Sequence, residues 1–158
     1  MITVQIPQQA DINIKHIVCD FNGTLAHGGK VGRETINQLT KLSKQHDVNI
    51  YVVTADTYGT VTEQFKGTII QVKLVSKQNG TIDKANFVKE LGANNCVAIG
   101  NGNNDIQMLQ QAKIGICVIG KEGCATKTLI ASDIAVNNIE HAINLLANPL
   151  ALKATLRP

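Results

Sequence analysis

Four places in this chain carry residues that could do chemistry, and their order along it matters. An apolar run, HIVCD at 16–20, ends on Asp20 and turns at once into Phe-Asn-Gly-Thr (21–24). A second run, VNIYVVTA (48–55), brings up Thr54 near its end. Lys84 opens an amphipathic stretch, and GNGNND (100–105) follows a third apolar run with Asn101, Asn104 and Asp105. A strand-end aspartate beside turn N–H groups can attack phosphorus as a nucleophile, provided that a divalent cation offsets the repulsion between carboxylate and phosphate. Asp105 would help to hold that cation, and Mg²⁺ suits a site of few oxygen ligands because it keeps several waters. Thr54 would donate a hydroxyl hydrogen to phosphate and Lys84 would add a point charge. Lys73 and Lys77 are alternatives to Lys84. Asp56 reads as a cap for the following helix, close enough to the site to belong to it.

These residues need elements that bring them together. Short β-branched runs at 16–20, 48–55, 69–76, 96–101, 114–120 and 133–137 alternate with helical stretches. In RETINQLTKLSKQ (33–45), Ile36, Leu39 and Leu42 share one helical face, and KANFVKELG ends on a C-terminal glycine, Gly92. Strand alternating with helix predicts a mainly parallel sheet. Runs that are apolar throughout predict helices on both of its faces, a three-layer α/β/α sandwich with a Rossmann-like arrangement. In such sheets ligands bind beyond the carboxyl ends of the strands, which is where the four places fall. Residues 1–15 read as a hairpin on the sheet edge. The tail from 149 to 158 reads as a further short helix or an oligomer contact.

Composition narrows the function. The 158 residues are 44% hydrophobic, which suits one domain with its own core over 1–158. Aromatics are only 3% and Trp is absent, so stacking platforms for nucleic acid are poorly supplied and none is expected as a partner. The net charge of +3 comes from basic residues that are scattered along the chain. Four cysteines show no CxxC spacing, which fits a reducing cytoplasm. No signal peptide or membrane-length apolar run is seen.

DFNGTL (20–25), Thr54, Lys84 and GNGNNDIQML (100–109), in that order, resemble the four motifs of the haloacid dehalogenase superfamily. From CVAIGNGNND onward the chain also resembles the phosphorylation domain of P-type ATPases, and it is most similar to small stand-alone proteins of that kind. The resemblance implies an Mg²⁺-dependent phosphohydrolase or phosphotransferase acting on a phosphorylated small molecule or macromolecule. Asp20 would become an aspartyl-phosphate, and Thr54 and Lys84 would stabilise phosphate. Gly23 and Thr24 would present phosphate-binding backbone, with Asn104 near the phosphate. Asp20, Asn22 through its carbonyl, Asn101 and Asp105 would form the metal site. Two positions depart from the pattern. Asn22 stands where phosphatases carry an acid/base aspartate, a loss of about 10²–10⁴-fold for a step that depends on proton transfer. Asn101 replaces an acidic ligand, which weakens the metal site. Both departures also fit a non-catalytic module that keeps the pocket for binding. The intervals between motifs are too short for a cap domain, and cap-less relatives often borrow a neighbouring subunit, so a homo-oligomer is one expectation. AHGGK (26–30) reads as a small glycine flap.

Overall fold

The central strands alternate their side chains between two helical layers, and this alternation organises the chain. In the computed structural model, which describes residues 1–56 and 59–158, Ile17 and Cys19 face one apolar cluster while Val18 faces the other. Val52 and Val53 divide in the same way, as do Ile99 and Ala98. Strands apolar on both faces are stable only between two helical layers.

In chain order the elements are β1 (Ile2–Val4), β2 (Ile12–Ile14), β3 (His16–Asp20), β4 (Ala26–His27), β5 (Lys30–Val31), α1 (Arg33–His46), β6 (Asn49–Thr54), α2 (Thr60–Gln64) and β7 (Gln71–Leu74). There follow α3 (Gly80–Glu90), β8 (Cys96–Gly100), α4 (Ile106–Gln111), β9 (Ile114–Val118), α5 (Thr126–Ile130), β10 (Ile134–Val136), α6 (Ile139–Ala147) and α7 (Pro149–Leu156). Among the described residues the main sheet has six parallel strands in the order β10-β9-β8-β3-β6-β7. Strand order reverses at β3: the chain first builds outward through β6 and β7, then returns to lay β8 on the other side. The carboxyl ends of β3 and β8 therefore flank the crevice where a ligand site is expected. The six strands read from the sequence are these six, with ends shifted by at most two residues at either end. α3 and α4 cover one face; α1, α6 and α7 belong to the other. Between β3 and β6 the chain inserts only the β4–β5 flap and α1, and between β6 and α3 only α2 and β7, so no cap domain interrupts the described residues.

Two expectations are corrected. The hairpin β1–β2 pairs only with itself rather than extending the sheet edge. It lies at the amino end of the strands, where the amide of Lys15 donates to the carbonyl of Asn95 at 2.8 Å and that of Asn49 to the carbonyl of Lys15 at 2.9 Å. Its four isoleucine and valine side chains turn inward, so it needs a helix against it rather than a strand beside it. That helix is α7, the tail, which starts at Pro149 under an Asn148 cap and buries Leu152. Lys84 does not open α3. The helix begins at Gly80, after a turn in which Asp83 accepts from the amide and hydroxyl of Ser76, so Lys84 lies on its second turn.

Candidate active site

Asp20 is the last residue of β3, in register with Val53, which places Thr54 one step further at the same end of the sheet. Both side chains are buried. Lys84 reaches the same point from the second turn of α3, and its Nζ donates to Asp20 Oδ1 at 2.6 Å and to Asp105 Oδ1 at 2.7 Å. The other oxygen of Asp105 accepts from the amides of Asn101 and Gly102, each at 3.0 Å. The hydroxyl of Thr24 lies 3.3 Å from Asp20 Oδ2 and 3.2 Å from Asn101 Oδ1, and with one proton it serves one of them at a time. Gly100 makes this closeness possible: a Cβ there would sit 2.6 to 2.7 Å from the side chain of Asp105.

Three buried charges, two negative and one positive, leave the cluster with one uncompensated negative charge. Burial, and then the charge of Asp105, push the Asp20 carboxyl up to about 6, against the pull of Lys84. For Lys84, burial favours the neutral amine, but the two carboxylates outweigh it and hold the pKa above the usual lysine value. Near neutral pH Asp20 is therefore ionised and Lys84 is an ammonium.

A cavity of about 550 Å³ opens over this cluster, with Asp20, Thr54, Lys84, Asn22, Asn101 and Asn104 in its walls. Three residues expected at the ligand do not face it. The amide of Gly23 donates to the Ala26 carbonyl at 2.9 Å and that of Thr24 to the Phe21 carbonyl at 3.3 Å, so both are used within the turn; Phe21 and Asn22 form the wall instead. Asp105 is fully buried and does not line the cavity; it holds Lys84 and the Asn101–Gly102 turn. Of the four expected metal ligands, Asp20, Asn22 and Asn101 line the cavity. They suit a hard cation such as Mg²⁺ that retains most of its waters, but with one carboxylate among them the site is weaker than one with two. Among the described residues no group of three His, Cys, Asp or Glu side chains forms a tighter centre.

Part of the wall escaped the sequence reading. Ser76 and Gln78, from the turn between β7 and α3, and Thr81, in the first turn of α3, line the cavity, as does Gly29 of the flap. The signal was present in SKQNG (76–80), a polar turn leaving a strand at the same sheet end as Thr54. Asp56 both lines the cavity and caps α2, accepting from the Val61 amide at 2.8 Å and the Thr60 hydroxyl at 3.0 Å.

Residues 57–144 match the family of haloacid dehalogenase-like hydrolases. The chain belongs to that family. This haloacid dehalogenase-like hydrolase is 49% identical over 80 residues to an uncharacterized protein of Methanocaldococcus jannaschii, covering 48% of the chain and 86% of the relative. Over 50 residues it is 48% identical to the phospholipid-transporting ATPase VD of Macaca fascicularis, 32% of this chain but only 7% of the ATPase. Its fold is shared with the 3-deoxy-D-manno-octulosonate 8-phosphate phosphatase of Moraxella catarrhalis, solved with magnesium ion, phosphate ion and KDO, at a TM-score of 0.67 and 20% identity over 87% of this chain and 89% of that one. No helix among the described residues is long and apolar enough to cross a membrane.

Proposed function

We propose that this haloacid dehalogenase-like hydrolase is a phosphohydrolase or phosphotransferase in which Asp20 is the nucleophile. The observation that carries the reading is a single ionised carboxylate at a strand end, facing a cavity and held in place by an ammonium at 2.6 Å. An Asp20 oxygen attacks phosphorus, the bond from phosphorus to the leaving oxygen breaks, and the chain carries an acyl phosphate. Water then attacks the same phosphorus, releasing phosphate and restoring the carboxylate; an alcohol in place of water gives transfer. Thr54 donates a hydrogen bond to the phosphoryl group, its own oxygen accepting from the Asp56 amide at 3.3 Å. Lys84 positions Asp20 and has a third N–H for phosphate. Mg²⁺ held by Asp20, Asn101 and the Asn22 carbonyl would offset the charge of the incoming phosphate. Asn22 has no proton to give to the leaving oxygen, so that proton comes from solvent and turnover is slow. The Moraxella catarrhalis phosphatase, with magnesium and phosphate bound in the same fold, supports the reading.

The test is incubation with Mg²⁺ and a panel of phosphate esters and acetyl phosphate, following phosphate release and an acid-stable, hydroxylamine-labile phosphoenzyme, with Asp20→Asn as control. Release or labelling that disappears in the control is the expected result. Silence across the panel, with phosphate still bound in the presence of Mg²⁺, favours instead a binding module, a reading motivated by the uncharged Asn22 and Asn101.

A further inference from the structure

The flap is the one cavity wall built from almost nothing of its own. β4 and β5 pair over two residues each around Gly28 and Gly29, whose φ angles of +58° and +75° give the tight turn that two-residue hairpins need. A ladder this short is not stable by itself, and His27 to Lys30 are exposed, so apolar burial holds it only at its two ends, fully at Ala26 and partly at Val31. Side chains from elsewhere fix it. Gln64, the last residue of α2, accepts from the Val31 amide through Oε1 at 2.9 Å and donates to the Gly29 carbonyl through Nε2 at 3.0 Å. On the other side, Glu122 accepts from the Gly28 amide at 3.4 Å.

The opposite end of α2 is fastened to the site. Asp56 bonds its first residues, and the Asp56 amide bonds Thr54. One five-residue helix, tied to Thr54 through Asp56, is thus also tied to the flap. A second cavity of about 630 Å³ lies between Gly28–Val31 and Gly59–Gln64, and it shares Gly29 and Thr60 with the cavity over Asp20. The spacing that Gln64 sets between flap and helix is therefore also the width of a cavity that borders the one over Asp20.

We propose that Gln64 is a positioning residue, holding the flap at the distance from α2 that lets the non-phosphoryl part of a phosphate ester lie between them. The proposal rests on the phosphohydrolase reading. A side-chain amide is the group that fits, because the flap offers one donor and one acceptor. Glutamate keeps the bond to the Val31 amide but turns an oxygen toward the Gly29 carbonyl, and alanine makes neither bond.

Gln64→Ala and Gln64→Glu test this by hydrogen exchange at the Val31 amide, thermal unfolding, and kcat and KM for acetyl phosphate and for an aryl phosphate with a bulky leaving group. In Gln64→Ala, exchange at Val31 is expected to speed up by about tenfold while Tm hardly moves. KM for the bulky ester rises by about tenfold, with acetyl phosphate changing less than about twofold. Gln64→Glu should fall between the two proteins. Unchanged exchange at Val31 overturns the proposal, and so does an equal loss for both substrates, which is what a merely structural role would give. If the wild-type chain turns over neither compound, the phosphohydrolase reading fails and the positioning role falls with it, while the exchange data still report whether Gln64 fastens the flap.

Discussion

The two ends of the sheet are built on opposite principles. At the amino end, Ile2, Val4, Ile12 and Ile14 of the hairpin are buried against α7 and the core, no charged side chain among the described residues is buried, and backbone groups find each other or a neutral side chain, as when Asn95 Nδ2 donates to the Asn13 carbonyl at 2.7 Å. At the carboxyl end the sheet buries Asp20, Lys84 and Asp105, the three charged side chains that are buried among the described residues. Apolar burial stabilises the first end with no chemistry to perform. The second end places one more negative charge than positive in a low-dielectric pocket, an arrangement that is unfavourable for folding and useful for reacting with phosphorus once a cation is present.

Removing the one positive charge should break this contrast most severely. Lys84→Met leaves two buried carboxylates facing each other and is expected to cost about 3–5 kcal/mol in urea unfolding and to abolish turnover. A stability near wild type would mean that the carboxylates are not held as described. Next in size, Ile14→Ala at the quiet end should cost about 2–5 kcal/mol through the cavity it leaves, with kcat unchanged at a temperature where the variant is folded. A parallel loss of kcat would show that the ends are coupled.

Asn22→Asp sharpens the comparison from the reactive side. If proton delivery to the leaving oxygen limits the rate, kcat should rise by about 10²-fold; an unchanged kcat in steady-state assays would place the bottleneck elsewhere. The smallest effect is the most diagnostic. Because the Asp20 pKa is raised from its usual value to about 6, the fold favours its protonated form. The stability from this group is fully present below about pH 4 and lost as pH rises through about 6. Asp20→Asn, neutral throughout, should therefore be inactive yet more stable than wild type by about 1–3 kcal/mol at pH 8, the difference closing toward pH 4. A variant less stable at pH 8 would contradict the charge imbalance. In the wild type, kcat/KM should climb through about pH 6 as Asp20 ionises.

The strands and the four motif positions were legible for a physical reason: a parallel strand buried on both faces must be apolar throughout, so its end is marked wherever a polar residue such as Asp20 or Thr54 interrupts the run. What stayed hidden depends on contacts between distant segments. Alternation in β1 and β2 announces a hairpin but not where it docks, because its partner α7 lies at the other end of the chain. The early start of α3 depends on Asp83 reaching back to Ser76, which moves Lys84 from the first turn to the second. The role of Asp105 could not be separated from that of Asn101 by sequence, since both lie in one polar loop and only the fold turns one inward. Gln64 carries no motif at all; its partners in the flap are backbone groups more than 30 residues away.

Gly100 marks a limit on how this chain can vary. With a Cβ at that position only 2.6 to 2.7 Å from the Asp105 side chain, even alanine would have to displace the carboxylate that holds Lys84. A saturation library selected for turnover should therefore return glycine alone at 100, whereas Gly28, with open space around it, should be limited by its backbone angle and still admit asparagine. The route from this sequence to a relative with a bulkier residue at 100 would have to pass through a change at Asp105 first, so the two positions are bound to diverge together.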